Sequence, residues 1–179
     1  QVDRLAAGLT GAGVARGDRI GVVANNSEDF LLLYGAAAKT GAIVLPVNWR
    51  FQENEIEFVL NDCTPKIVFA GADFQQAVAG IAARVPSIEK CYAIGPGEVS
   101  EGFTAFSDLF RDEGADVECE AVMDDGFVII HTAAVAGEPR GALLSQGNIV
   151  FNNLAMMERI HFGPDDCHIG ILPLFHIAG

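Results

Sequence analysis

The sequence predicts an α/β fold of three layers, in which a mainly parallel sheet is flanked by helices. Short apolar runs alternate with amphipathic segments, and the first four runs begin about two dozen residues apart, the length of one strand–helix unit. Strands that alternate with helices favour a parallel sheet covered on both faces. Half of the 179 residues are hydrophobic and 20% are charged, which allows a sizeable core and excludes intrinsic disorder.

The first strand and helix have clear boundary signals. The apolar run 20–24 follows a turn at Gly17, and this pattern predicts a buried strand. Ser27 predicts a helix N-cap, because two acidic residues follow it where the helix dipole favours negative charge. The helix body is predicted over residues 30–39, and Gly41 predicts its end.

The next units repeat this plan. Apolar runs predict strands over residues 42–46, 66–70 and 90–94. Residues 52–60 begin with acidic side chains and place apolar ones on a single helical face, which predicts the second helix. Asp73 predicts the N-cap of a third helix, with a stripe of apolar side chains behind it.

Regular patterning weakens over residues 95–126, which we interpret as an irregular, exposed excursion of the same domain, rich in Gly, Pro, Ser and acidic residues. Its one short helical candidate is 106–110. After this stretch the hydrophobic pattern becomes regular again, and its periodicity distinguishes strands from helices. The remaining predicted elements are strands over 127–130, 142–144 and 167–172 and a helix over 147–159.

Charge and composition exclude several classes of partner. Eleven basic and 24 acidic residues give a net charge of −13, which argues against a nucleic-acid backbone or an anionic membrane while allowing one bound phosphate. The four cysteines form no C-x-x-C pair, which indicates reduced thiols in a cytoplasmic protein. The longest apolar stretch, 30–46, is too interrupted for a membrane span. A start at Gln1 and a stop shortly after the strand 167–172 predict a fragment of a longer chain.

Common signatures of nucleotide and metal sites are weak. Gly11 and Gly13 precede a strand instead of following one, so they predict a helix end and a turn rather than a dinucleotide site. The sequence contains no G-x-x-x-x-G-K-[ST] motif. The spacing of His161, His168 and His176 matches no pair of metal ligands, and we therefore predict no metal site.

The segment 131–141 is the strongest candidate for a binding site. It follows a predicted buried strand, has mostly small side chains over 132–137, and then presents the cation Arg140 before Gly141. Small residues allow backbone amides to approach an anion closely, and an arginine can bind its oxygens. The residues alone leave two interpretations equal, a phosphate-binding loop and a tight β-hairpin.

The same segment resembles the phosphate loop of the AMP-forming acyl-CoA synthetases, within the adenylate-forming superfamily. The family pattern is T-S-G-T-T-G-x-P-K-G, followed by a short strand and S-H-x-N. The matching positions are Thr132, Gly137, Pro139, Gly141, Ser145 and Asn148. A second segment, 173–179, resembles the family motif P-x-x-H-x-x-G. Further similar positions occur in the family order at 5–9, 17–19, 47–50, Glu55 and 61–62, so the resemblance covers essentially the whole chain.

The resemblance implies that residues 1–179 are part of the family's large N-terminal domain, with 127–144 as strand, phosphate loop and strand. It implies that the parent protein activates a carboxylic acid, foremost a fatty acid, with ATP and Mg²⁺ and transfers the acyl group to coenzyme A. His176 matches a family residue near the acyl-adenylate carbonyl and is the catalytic candidate, assigned to positioning the substrate. The implied phosphate-binding residues are Thr132, Ala133, Ala134, Val135, Ala136, Gly137, Arg140 and Gly141.

The loop also departs from the family pattern. Residues 133–136 are Ala-Ala-Val-Ala where the family has Ser-Gly-Thr-Thr, so three hydroxyl donors are missing, each worth about 1.5–3 kcal/mol to a charged acceptor. Arg140 stands at the lysine position, Gln146 at a usual histidine, and His131 at a usual Tyr or Phe. A second hypothesis is therefore a non-catalytic relative that binds an acyl-adenylate or nucleotide. A third is a flavodoxin-like module that matches by chance.

Several parts of the family machinery have no match before Gly179. These are the glutamate that binds Mg²⁺, the aspartate that binds the ribose, the hinge, and the small domain with its catalytic lysine. We therefore expect the chain by itself to be inactive, with the Mg²⁺ ligand outside it. We also expect it to expose apolar surface and to self-associate.

Overall fold

We describe the protein from a computed structural model, which describes residues 1–112, 121–131, 139–161, 163, 165–167 and 169–176. Within these residues, seven strands form one sheet in the order β5-β4-β3-β1-β2-β6-β7. Neighbouring strands are parallel except for β6 and β7, which are antiparallel. The strands are β1 (Arg19–Val23), β2 (Ile43–Pro46), β3 (Ile67–Gly71), β4 (Lys90–Ile94), β5 (Thr104–Ala105), β6 (Gly126–His131) and β7 (Gly141–Ser145).

Helices cover both faces of this sheet. The first face carries the first two helices and a 3₁₀ turn, Phe106–Leu109, and the second face carries the third and fourth helices. Adjacent residues of one strand point to opposite faces: Val22 packs with the first two helices and Val23 with the others. The helices are α1 (Val2–Gly11), α2 (Glu28–Thr40), α3 (Glu53–Cys63), α4 (Gln75–Ala82) and α5 (Gln146–Arg159). The predicted three-layer α/β fold is confirmed.

The boundary signals of α2 act as predicted. The side chain of Ser27 accepts a hydrogen bond from the Phe30 N–H at 3.2 Å, which satisfies a free donor at the start of the helix. At the other end, Gly41 has a φ of 70°, in the left-handed region that favours glycine. The turn predicted after α1 is also present, since both Gly13 and Gly17 have positive φ.

Two local predictions are wrong. The described residues within 167–172 form no strand, and Ile169 and Ile171 are 76% and 80% exposed. An apolar run forms a strand only where a neighbouring backbone pairs with it, and no described strand does so here. Asp73 does not cap α4: it lies in a 3₁₀ turn, Ala72–Phe74, and the N-cap residue of α4 is Phe74, which makes no side-chain cap bond.

The stretch 95–126 contains more regular structure than its composition suggests. Strand β5 extends the sheet beside β4, with Tyr92 opposite Thr104, and the 3₁₀ turn after it packs two buried side chains, Phe106 and Leu109, under α1. Residues 113–120 lie outside the described part of the chain. Among the described helices, none is long and apolar enough to cross a membrane.

Candidate functional site

Strands β6 and β7 form an antiparallel hairpin at one edge of the sheet. His131, the last residue of β6, lies opposite Gly141, the first residue of β7. Both interpretations of the segment 131–141, the hairpin and the phosphate loop, are compatible with this pairing. The predicted phosphate-binding residues Thr132, Ala133, Ala134, Val135, Ala136 and Gly137 lie outside the described residues. Arg140 and Gly141 are described, and the Arg140 residue is exposed.

Gly141 is closely packed by side chains of the opposite strand. A Cβ atom at this position would lie 2.7 Å from Cγ2 of Ile129 and 3.1 Å from Nε2 of His131. The first distance is shorter than real Cβ contacts and the second is tighter than most, so a larger residue would force the Ile129 and His131 side chains to shift. The structure thus gives this glycine a role that does not depend on phosphate.

His131 lies in the sheet face that α3 covers, with its side chain only 4% exposed. Burial lowers the pKa of the imidazole below its ordinary value, and the nearby Asp62 carboxylate opposes that shift. Burial, with a contribution from Asp62, raises the pKa of the Cys63 thiol to about 11. Both His131 and Cys63 are therefore uncharged at neutral pH.

The residue just before the hairpin, Asp125, is anchored to the turn that precedes β1. Asp125 accepts a hydrogen bond from Nη2 of Arg16 at 2.7 Å and another from the Val122 N–H at 2.9 Å. These bonds, the arginine first, lower the pKa of Asp125 below its ordinary value. The Asp125 carbonyl in turn accepts from the N–H of Gln146 at 2.8 Å, which connects the two ends of the hairpin.

Two positions of the S-H-x-N motif have a structural role at the start of α5. Ser145 is the N-cap residue, and its side chain accepts a hydrogen bond from the Asn148 N–H at 3.2 Å. The Asn148 side chain reciprocates by accepting from the Ser145 N–H at 2.9 Å. This capping box satisfies two backbone N–H groups at the start of α5.

His176 is held close to this hairpin by the segment that precedes it. Its N–H donates to the Pro173 carbonyl at 2.9 Å, which closes a turn. Asn26 donates from Nδ2 to the Leu172 carbonyl and accepts from the Leu174 N–H, both at 2.8 Å. The Tyr34 hydroxyl donates to the Leu174 carbonyl at 2.9 Å.

A groove of about 320 Å³ lies between this segment and the hairpin, and His176 is part of its wall. Most of its surface is apolar, and Asn152, Asn153 and His176 add polar groups beside the Tyr34 hydroxyl. The remaining lining residues are Leu31, Tyr34, Phe127, Val128, Ile130, Leu144, Ile149 and Leu174. An apolar groove with a few polar groups suits the apolar part of a small ligand.

The structure therefore brings His176 together with residues of β6 and β7, the strands on either side of the predicted phosphate loop. Arg140 is not among the residues that line the groove. Asn26 and Tyr34 were not predicted as site residues. Asn26 has one sequence signal, a polar residue just beyond the carboxyl end of a parallel strand, where ligand sites of α/β proteins collect.

Comparisons with known proteins agree with this architecture. The family described as AMP-binding enzyme matches residues 1–179. Indoleacetate–CoA ligase of Aromatoleum aromaticum is 30% identical over 99% of this chain and 35% of its own length. The chain spans about a third of the length of the curated relatives that it matches first.

Solved structures give the same result. A protein of Rhodopseudomonas palustris, provisionally named a long-chain-fatty-acid CoA ligase, superposes with a TM-score of 0.90 at 44% identity, over 98% of this chain and 43% of that one. ATP-bound MatB from the same organism superposes with a TM-score of 0.83 at 29% identity, over 98% of this chain and 34% of that one.

Proposed function

Since the chain belongs to the AMP-binding enzyme family, we propose that it is part of an enzyme that activates a carboxylic acid with ATP and transfers the acyl group to coenzyme A. In the first step a carboxylate oxygen attacks the α-phosphorus of ATP, and pyrophosphate leaves as its bond to that phosphorus breaks. In the second step the coenzyme A thiol attacks the acyl carbon, AMP leaves, and the thiol proton passes to solvent. On this proposal, residues 1–179 belong to the large N-terminal domain of the enzyme.

The groove beside the β6–β7 hairpin is the observation that carries the proposal. It offers apolar walls to an acyl group and a polar wall residue, His176, and it adjoins the strands that flank the predicted phosphate loop. An acyl-adenylate likewise has an apolar part, the acyl chain, next to an anionic part, the phosphate. The groove thus supports a place for the apolar acyl half of such an intermediate next to the predicted phosphate loop.

We assign roles to the site residues on this basis. His176 positions the carboxylate and the adenylate carbonyl without acting as the general base. Arg140 binds the oxygens of the departing pyrophosphate by its planar fork, which holds phosphate well. The small residues of the segment 132–137 favour backbone amides as further donors to the phosphates. Mg²⁺ enters with ATP, and we expect its protein ligand outside this chain.

The acid is proposed to be a fatty acid or another apolar acid. The groove walls are mainly aliphatic and aromatic, which favours an apolar acyl group over a charged one. One structural neighbour is named for long-chain fatty acids, and one relative is named for indoleacetate. The substrate panel therefore has to include both aliphatic and aromatic acids.

A second candidate function is binding without catalysis. Residues 133–136, Ala-Ala-Val-Ala, bring no side-chain donor to a loop that would stabilise departing pyrophosphate. Three lost bonds of about 1.5–3 kcal/mol each would lower the rate by several orders of magnitude, since about 1.4 kcal/mol is tenfold. A relative of this kind would hold an acyl-adenylate or a nucleotide and release it unchanged.

ATP–pyrophosphate exchange by the full-length protein distinguishes the two functions. We expect exchange of labelled pyrophosphate into ATP that depends on an added acid, with short, long and aromatic acids compared. Arg140→Ala should slow exchange strongly. Arg84→Ala is the matched control, because Arg84 is an exposed arginine paired with Glu57 away from the groove.

The absence of exchange with every acid, from folded protein that still binds ATP, would contradict adenylation and favour the binder. The triple variant Ala133→Ser, Val135→Thr and Ala136→Thr then tests the loop directly. Exchange that appears only in this variant would assign the defect to the missing hydroxyl groups.

A further inference from the structure

Three donor atoms of different chemistry face one another where the end of α3 meets the end of β6. They are Oδ2 of Asp62, Sγ of Cys63 and Nε2 of His131. Sγ lies 3.8 Å from Nε2 and 4.0 Å from Oδ2, and Nε2 lies 3.9 Å from Oδ2. The three atoms therefore form a nearly equilateral triangle.

The carboxylate–imidazole distance is too long for a good hydrogen bond, the two contacts of the sulfur are long and weak, and all three distances suit a shared ion. A carboxylate and an imidazole that bond directly are about 2.7–3.2 Å apart, well below the separation of Asp62 and His131. A point equidistant from the three corners of this triangle lies about 2.3 Å from each, close to the zinc distances of about 2.3 Å to sulfur and about 2.0–2.2 Å to nitrogen and oxygen. Movements of a few tenths of an ångström complete the match.

We propose that Asp62, Cys63 and His131 bind a divalent transition-metal ion of the zinc type, with water in the fourth position. Sulfur and imidazole ligands select such ions over Mg²⁺ and Ca²⁺, which prefer oxygen. The thiolate and the carboxylate together supply two negative charges, which balance the charge of the ion. Binding displaces the thiol proton of Cys63 to solvent as the sulfur–metal bond forms.

The surroundings permit entry of an ion and limit its affinity. His131 is 4% exposed, while Asp62 is 54% exposed and opens the site to solvent. Cys63 is the last residue of α3, where the helix dipole favours a cation. Arg19 opposes this effect, because its guanidinium donates to the Cys63 carbonyl at 2.9 Å.

The His131 imidazole also has no second hydrogen bond, within the described residues, that would hold its orientation as a ligand. With Nε2 as the ligand atom, the proton of His131 lies on Nδ1, which has no hydrogen-bond partner within the described residues. Loss of the group that accepts a hydrogen bond from the other ring nitrogen of a ligating histidine lowers metal affinity about 10–100-fold. We therefore expect weaker binding than at a zinc site whose histidine has such a partner. The ion would tie the end of α3 to the end of β6, immediately before the loop 132–138, and this role does not depend on the proposed function.

Cobalt titration of the metal-free protein tests the site, because Co²⁺ bound to a thiolate has an intense near-ultraviolet charge-transfer band. We expect a saturable band at one equivalent, removed by competing Zn²⁺. Cys63→Ser should abolish the band, and His131→Phe should weaken binding at least tenfold. Cys91→Ser is the matched control, since Cys91 is a partly buried thiol outside the cluster, and it should keep the band.

Thermal unfolding gives a second readout. Zinc at about a hundred times its wild-type dissociation constant should raise the melting temperature of the wild type by about 5–10 °C and that of His131→Phe by clearly less, about half as much at a tenfold weaker affinity. No band in wild-type protein shown to be folded by circular dichroism would overturn the proposal. A band of full intensity in folded Cys63→Ser would also overturn it, since another thiol such as Cys167 would then be the ligand.

Discussion

Asn26 and Leu174, which are 148 positions apart in the chain, are joined by a 2.8 Å hydrogen bond from the Leu174 N–H to Oδ1 of Asn26. The other end of the same amide donates to the Leu172 carbonyl at 2.8 Å. One side chain thus bonds to the backbone on both sides of Pro173, much as a neighbouring strand would. It fixes the segment that carries His176 against the loop between β1 and α2.

Removing this amide should release the segment locally. Asn26→Ala loses two hydrogen bonds, each worth about 0.5–1.5 kcal/mol net, so we expect the Leu174 amide to exchange with solvent deuterium roughly tenfold faster or more. Amide hydrogen exchange resolved at this residue is the measurement. Asn61→Ala is the control, because the Asn61 side chain donates to the Glu57 carbonyl within α3, away from this segment. Equal protection of Leu174 in wild type and Asn26→Ala would contradict the assigned role.

The sequence predicts much of the sheet because burial determines its pattern. Strands β1 to β4 are mainly apolar on both faces. Each therefore appears in the sequence as a short apolar run between segments with helical periodicity. Strand β5 has only two residues, Thr104 and Ala105, and too short a pattern to recognise. The run 167–172 shows the opposite failure, since apolar side chains alone do not supply a pairing partner.

The sequence predicts only those residues of the candidate site that belong to short contiguous motifs. His176 belongs to a short motif, and the structure adds it to the groove beside β6 and β7. Asn26 and Tyr34 act through backbone groups far along the chain, and no spacing in the sequence reveals such contacts. Cys63 and His131 are likewise 68 positions apart, which hides their proximity from any search for metal-binding motifs.

Gly8 and Gly11 offer a matched test of packing beneath α1. A Cβ atom at Gly8 would lie 1.6 Å from the Leu109 carbonyl oxygen, whereas one at Gly11 would meet nothing within 4 Å. We expect Gly8→Ala to lower the free energy of unfolding by about 1–3 kcal/mol or more, because the helix or the 3₁₀ turn must move.

Gly11→Ala should be neutral or stabilising by up to about 1 kcal/mol, since alanine favours the helix. Urea denaturation followed by circular dichroism measures both variants. Similar losses in the two would show that helix propensity, and not the contact with Leu109, determines the effect.

Asp125 predicts a specific dependence of stability on pH. Its folded pKa is lowered, first by the bond from Arg16, so the stability it contributes is present above its unfolded pKa of about 4 and is lost as the pH falls through the folded value. We expect Asp125→Asn to be less stable than wild type at neutral pH and to lose less stability between about pH 6 and pH 3.

Urea midpoints across that pH range provide the measurement, and Asp124→Asn, at the exposed neighbouring position, provides the control. If stability fell with pH equally in wild type and Asp125→Asn, the Asp125 carboxylate would not be a source of the stability lost in acid.

Helix α5 predicts self-association of the 179-residue chain. Phe151, Leu154 and Met157 are each more than half exposed and lie at spacings of three residues, which place them along one side of the helix. Exposed apolar patches of this kind favour association with a second copy. We expect light scattering at high micromolar concentration to give a mass above that of the monomer. Phe151→Ser combined with Leu154→Ser should lower that mass, whereas Val99→Ser, which changes an exposed apolar residue elsewhere, should not. A monomeric wild-type chain at that concentration would refute the prediction, and a mass unchanged by the double substitution would move the contact to another surface.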